Sequence, residues 1–206
     1  MAPGILGLRG GRAALRCGPP PEENEIMSEP VTPAPARASA TTDAPETLAM
    51  LDKRRIEAEI LKHVYDTLVA SHGEAVAQTT IGEAVRRSAL EQAARFAAAA
   101  GGRTSLDSFV ERQSLWTKGG ALEIEVRERS ETVYAYDVVR CRYAEMYRAM
   151  GLGHIGHLLS CNRDFVFSEG YDPNLKLERP QTLMQGGSCC NFRYRYEKPE
   201  AASGAT

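Results

Sequence analysis

Residues 121–139 read ALEIEVRERSETVYAYDVV. Leu122, Ile124 and Val126 alternate with Glu123, Glu125 and Arg127, which is the period of two of a half-buried strand. Glu128–Glu131 is a polar turn. Thr132–Val139 is β-branched and aromatic, so it supplies the second arm of a hairpin. A helical period precedes the hairpin and a mixed pattern follows it. Helices and strands are thus segregated rather than alternating. That predicts an α+β fold: an N-terminal helical layer packed on an antiparallel sheet that is interrupted by a helical pair.

Upstream, residues 1–45 are rich in Pro, Ala, Gly and small polar side chains without sustained periodicity, which predicts a disordered tail. Met1–Arg16 lacks the uninterrupted apolar centre of a secretory signal. Met27 opens a second start context, MSEPVTP, so translation is expected to begin at Met1 or Met27. From Pro45 the pattern changes. Leu48, Leu51, Ile56, Ile60, Val64 and Leu68 form an approximate helical stripe, with an end expected near Gly73. Glu74–Ala100 is a second helix, rich in Ala and closed by a glycine pair, with Val76, Ile81, Val85, Leu90 and Phe96 as its larger apolar residues. A third, shorter helix starts at Thr104 or Ser105 and ends at Trp116.

Downstream, a helix is expected over Arg140–Met150, closed by Gly151 and Gly153, and another over His154–Glu169. Leu175–Met184 is extended, with Pro180 placing it at an edge or interrupting it. Cys190, Phe192, Tyr194 and Tyr196 alternate with Asn191, Arg193 and Arg195 in a final strand. One domain over 46–197, with small polar tails at 1–45 and 198–206, accounts for the 206 residues.

Composition narrows the function classes. The formal net charge is −2, which gives no electrostatic footprint for nucleic acid. No apolar run approaches the roughly 20 residues of a spanning helix, so no membrane partner is expected. Five cysteines without a secretory context predict reduced thiols in a cytoplasmic protein. There is no GxSxG, no P-loop and no GxGxxG after a strand, which weighs against serine hydrolases, nucleotide hydrolysis and dinucleotide cofactors. A small-molecule partner remains, and a homo-oligomer stays open.

The chemistry-bearing residues cluster in Tyr134–Tyr196. Cys141 stands at an expected helix start, where the dipole lowers a thiol's pKa, and Glu145 follows at i+4 on the same face. Cys161 and Asp164 share a helical face, and so do His154 and His157. Cys190 leads the apolar face of the last strand, while Cys189 points the other way. Three readings stay open: a thiolate nucleophile with an acid or His partner, a Cys/His metal site, or small thiols that simply pack.

The ordered series Cys141 with Tyr143-Ala144-Glu145, Gly151-Leu152-Gly153, Cys161-Asn162-Arg163-Asp164, Arg179-Pro180-Gln181-Thr182-Leu183, and Gly186 with Cys190-Asn191-Phe192-Arg193 resembles the L-2-amino-thiazoline-4-carboxylic acid hydrolase family. The resemblance covers roughly residues 120–197. It implies a hydrolase that opens a small cyclic amidine or related heterocycle by adding water at a C–N or C–S bond, with no cofactor. The chain departs from the family's pattern at Gly187 and Asn191, where acids are usual. That implies a lost contact to a cationic substrate edge.

Such a reaction needs a nucleophile, a proton carrier and a clamp for the substrate carboxylate. Cys161 is the preferred nucleophile, Asp164 the proton acceptor or water-orienting group, and Cys141 and Cys190 the second candidates. Arg179 is the expected two-pronged carboxylate clamp. Thr182, Glu145 and His157 complete the expected substrate contacts. A non-catalytic small-molecule sensor domain, or a zinc hydrolase built from Cys141, Cys161, Cys190 and a histidine, are the competing readings.

Overall fold

The structure, a computed structural model, describes residues 48–101 and 103–198. The tails expected at 1–45 and, except for Lys198, at 198–206 lie outside the described residues.

Two long helices come first, α1 (Met50–His72) and α2 (Glu74–Ala99). Gly73 alone joins them, at φ 84°, a left-handed value that glycine adopts without steric cost. The face of α1 that packs inward carries Met50, Arg54, Ala58 and Tyr65. Ile56, Ile60 and Val64, expected in the core from their spacing, are exposed. The small Ala58, not the bulky β-branched residues, lets α1 approach its neighbours. On α2 the buried line is Ala77, Ile81, Val85, Ala89 and Ala93, each four residues from the next. Its alanines admit a close neighbour. A Cβ added at Gly170 would come 3.0 Å from the Ala93 Cβ.

The third helical segment is two short pieces, α3 (Leu106–Glu111) and α4 (Ser114–Thr117). Ser105 caps α3: its Oγ accepts from the Ser108 amide at 3.1 Å, while the Ser108 Oγ accepts from the Ser105 amide at 3.0 Å.

The hairpin forms as its alternation dictates, from β1 (Leu122–Arg129) and β2 (Val133–Cys141). With β3 (Leu175–Glu178) and β4 (Cys190–Tyr196) it makes a four-stranded sheet of order β1-β2-β4-β3, with all neighbours antiparallel. The chain between β2 and β3 holds α5 (Arg142–Ala149), a π-helical turn (His157–Cys161) and α6 (Arg163–Tyr171). The α+β architecture, with helices packed on an interrupted antiparallel sheet, is therefore the observed one.

Three boundaries differ from the sequence pattern. Arg140 and Cys141 complete β2 rather than opening a helix, because they still pair with Glu123 and Leu122 of β1. The helix expected over His154–Glu169 is divided by the π turn. The extended segment after Leu175 stops at Glu178, before Pro180, which has no amide to donate to a ladder. Pro180 thus ends an edge strand.

The inner sheet face carries Tyr134, Tyr136 and Val138 of β2 and Cys190, Phe192 and Tyr194 of β4, all buried. Tyr136 and Phe192 are register partners, and their rings stack at 4.8 Å. On β2 between Tyr136 and Val138, Asp137 points the other way and is also buried. It accepts from Arg127 Nε and from Arg193 Nη2, both at 2.8 Å. Among the described residues no helix is long and apolar enough to cross a membrane.

Candidate functional site

Between the helical layer and the inner sheet face lies a cavity of about 110 Å³. One ordered water needs roughly 10–15 Å³ on this measure, so there is room for a small ring compound. Aromatic side chains make most of the wall, among them Phe109, Trp116, Tyr136, Phe167, Phe192 and Tyr194. The polar groups are few and come from separate elements: Arg54 of α1, Gln92 of α2, Gln113 beside α4, Ser160 and Cys161 of the π turn, Arg163 and Asp164 of α6, and Arg179 after β3. An apolar enclosure with a few converging polar groups is the usual form of a small-molecule site.

The π turn delivers Cys161 to this wall. Such turns are energetically poor helix and recur at functional positions. Here it ends where Asn162 donates its amide to the His157 carbonyl at 2.9 Å, and α6 then presents Arg163 and Asp164. A third of the Asp164 side chain (32%) stays accessible, and Asp164 lines the cavity. Arg179 donates through Nη1 to Asp164 Oδ2 and through Nη2 to the Cys161 carbonyl at 2.9 Å. Its guanidinium carbon lies 4.9 Å from the Phe165 ring centre and 5.0 Å from that of Phe192. The arginine is thereby fixed in both plane and direction.

Burial governs the electrostatics. It pushes the Asp164 carboxyl above the ordinary range, although Arg179 pulls the other way. Burial, reinforced by the Asp164 charge, drives the Cys161 thiol up to about 12. Cys190 rises to about 11, again chiefly through burial, although its sulfur accepts the Leu183 amide at 3.2 Å. Cys141 does sit at the N-terminus of α5, but burial outweighs the amides of Ala144 and Tyr143 there and raises its thiol. The lowered pKa expected from the helix dipole is therefore reversed. All three cysteines are free thiols.

The cavity brings together Cys161, Asp164, Cys141, Cys190 and Arg179 from widely separated positions. Glu145, Thr182 and His157 do not reach it. Glu145 leaves the Cys141 face because Cys141 belongs to the strand; it is exposed and accepts from Arg140 Nε at 2.9 Å. Thr182 is buried as a turn cap, its Oγ1 accepting from the Gln185 amide at 3.2 Å. His157 opens the π turn away from the cavity, half-buried, with its pKa lowered by that burial. Arg179 is present but committed, because both of its Nη groups are engaged within the protein. It is not the free two-pronged clamp expected of it.

The two departures from the family pattern fall outside the cavity as well. The Asn191 Oδ1 accepts the Gln181 amide at 3.2 Å. At Gly187 any Cβ would come 2.9 Å from the Thr182 carbonyl oxygen, so an acid has no room there. Among the described residues no three of His, Cys, Asp and Glu gather as metal ligands. The zinc site imagined from Cys141, Cys161, Cys190 and a histidine is not assembled.

Periodicity alone missed five polar groups of the cavity, Arg54, Gln92, Gln113, Ser160 and Arg163. Arg54 lies on the buried line of α1 between Met50 and Ala58, a misplaced charge that could have flagged it. Arg163 directly precedes Asp164. Gln113 carries no sequence signal. The Tyr134 hydroxyl donates to its Oε1, which leaves Nε2 buried without an acceptor. The other buried, unpartnered side-chain donors among the described residues are Arg163 Nη1 and Arg179 Nε, and all three residues line the cavity.

The sequence model of a family described as L-2-amino-thiazoline-4-carboxylic acid hydrolase matches residues 53–194, a span that contains every cavity residue named above. A search of curated proteins finds no match. Similar solved structures include a trafficking protein particle complex subunit 3 from Naegleria fowleri covalently bound to palmitic acid. It is 10% identical with a TM-score of 0.43, over 71% of this chain and 96% of that one. Another is the phenol-responsive sensory domain of the transcription activator PoxR with phenol, 12% identical with a TM-score of 0.42, over 69% of this chain and 74% of that one.

Proposed function

The chain belongs to the L-2-amino-thiazoline-4-carboxylic acid hydrolase family, and from that premise we propose that it opens a small carboxylate-bearing cyclic amidine by hydrolysis within the cavity. The supporting observation is the convergence of Cys161, Asp164 and Arg179 on one enclosed, aromatic-walled space.

In this reading the Cys161 Sγ adds to the amidine carbon of the ring. Its thiol is protonated at rest, so the proton leaves as the bond forms, and Asp164 receives it. The ring C–S bond then breaks. The departing sulfur takes up the proton as a thiol, and the substrate remains joined to Cys161 through the former amidine carbon. A water adds to that carbon, one of its protons passing through Asp164 to the departing Cys161 sulfur and the other to the former ring nitrogen, and a carbamoyl group remains on the opened amino acid. The sum is substrate plus one water. Arg179 is a positioning residue that holds Asp164 toward the cavity.

The high thiol pKa favours a second route, in which Asp164 takes a proton directly from a water that attacks the same carbon. A screen of thiazolines, other cyclic amidines, lactams and hydantoins, read by ring opening, tests the hydrolase proposal. Turnover of none of these classes would sink it in favour of a binding-only domain. Intact-mass spectrometry during turnover separates the routes. A substrate adduct absent from Cys161→Ala supports the first, and full activity of Cys161→Ala and Cys161→Ser supports the second.

A further inference from the structure

Two guanidiniums share one carboxylate where α1 meets α6. Arg54 Nη1 donates to Glu57 Oε1 and Oε2 at 2.7 and 2.6 Å, and Arg163 Nη2 donates to the same Oε2 at 3.2 Å. Each guanidinium makes a further hydrogen bond. Arg54 Nη2 donates to Gln92 Oε1 at 3.0 Å, and Arg163 Nε donates to the Leu159 carbonyl at 3.0 Å. Arg163 Nη1 is buried and has no acceptor. Arg54 is 5% exposed and Arg163 7%.

The charges do not balance. Arg54, Arg163 and Arg179 are set against Glu57 and Asp164, and Asp164 is committed to Arg179. One positive charge is left over at the Arg54–Arg163 end. Burial and the neighbouring Arg54 lower the Arg163 pKa to about 10, which still leaves it charged at neutral pH. A buried charge with an unused donor is costly unless an anion completes it.

We propose that Arg163 Nη1 anchors the carboxylate of the substrate, with Arg54 supplying the second positive charge behind it, so that the cavity selects small rings bearing an acid group. This rests on the hydrolase reading for the chemistry at the ring, but not for the recognition of the anion. Arg163 follows Cys161 by two residues and precedes Asp164 by one. All three line one cavity, so a ring anchored by its acid group shares the enclosed space of the reacting pair. An uncharged analogue leaves Arg163 Nη1 unsatisfied, and the site rejects it for that reason.

Calorimetric titration of the full chain with thiophene-2-carboxylate and thiophene-2-carboxamide tests the assignment. Both are five-membered sulfur rings without a bond this chemistry can open. The wild type is expected to bind the acid about 10- to 100-fold more tightly than the amide, the size of one or two charge-assisted hydrogen bonds. Arg163→Gln should erase that preference. Glu57→Gln, which retains both arginines and removes the shared carboxylate, should tighten acid binding and leave the amide unchanged. It decides the matter if Arg163→Gln does not fold. The anchor is overturned by a wild type without preference, by an undiminished preference in folded Arg163→Gln, or by unchanged acid binding in Glu57→Gln. Failure of every ring class in the screen to turn over, with the preference intact, would remove the hydrolase reading and leave the anchor standing.

Discussion

Arg179 and Asp164 form an ion pair across the wall of the cavity, joining the end of the edge strand to the first turn of α6. The same guanidinium binds the Cys161 carbonyl, so one side chain ties together the two residues proposed to react. Arg179→Lys keeps the charge but cannot reach both acceptors in one plane. It is expected to lower kcat by about tenfold or more while changing KM little. A raised KM with kcat intact would return Arg179 to the role of carboxylate clamp.

Asp164→Asn removes the proposed proton acceptor without changing the shape of the wall. A loss of about 10² to 10⁴ in kcat is expected, the usual range for a general base, with the circular dichroism spectrum preserved. Less than a tenfold loss would place the base elsewhere.

Burial raises the Asp164 carboxyl in the folded chain above its unfolded value of about 3.9. The base form is therefore lost earlier on acidification than for a surface aspartate, and the acid limb of kcat/KM should lie above that value. For stability the sign is opposite. Ionised Asp164 destabilises the fold at higher pH, and protonation relieves this as pH falls through the raised value. An acid limb at or below about 3.9 would remove Asp164 as its source.

A Cys161 thiol at about 12 leaves a thiolate fraction on the order of 10⁻⁴ at pH 8. Iodoacetamide should label it about a thousandfold more slowly than an unperturbed cysteine. Its rate should still be climbing at pH 10, as followed by peptide mass mapping. Fast labelling at pH 7 would show that the resting residue is already a thiolate.

Asp137 is buried on the other side of the sheet, between Arg127 and Arg193, and does not line the cavity. Asp137→Ala should cost about 2–4 kcal/mol, the value of its lost charge-assisted bonds, tempered because Arg193 can turn to water. Urea denaturation measures the loss. A change under 1 kcal/mol would mean the two arginines repack without it.

The strands and the aromatic inner face were legible because an alternating pattern on a one-sided sheet has a single solution. Cys190, Phe192 and Tyr194 are buried together as their spacing requires. The α1 stripe was not legible. Large β-branched residues at Ile56, Ile60 and Val64 read as core, yet the neighbours accept Ala58 and Arg54 instead, and hydrophobicity alone does not report the distance between helices. The grouping of Cys161 with Asp164 was visible as a local spacing of three. Arg54, Gln113 and Arg163 entered the site through tertiary folding, and only Arg54 left a trace in the helical pattern. Thr182 shows the converse: a polar residue in a suggestive motif, used as the cap of a turn.

The cavity draws its walls from both ends of the folded domain, from Arg54 on the first helix to Tyr194 on the last strand. A ligand that binds the folded chain and not the unfolded one adds its binding free energy to the global unfolding equilibrium. At a hundred times its dissociation constant it contributes about 2.7 kcal/mol. The melting temperature of the whole chain thus serves as a direct assay for what the cavity accepts.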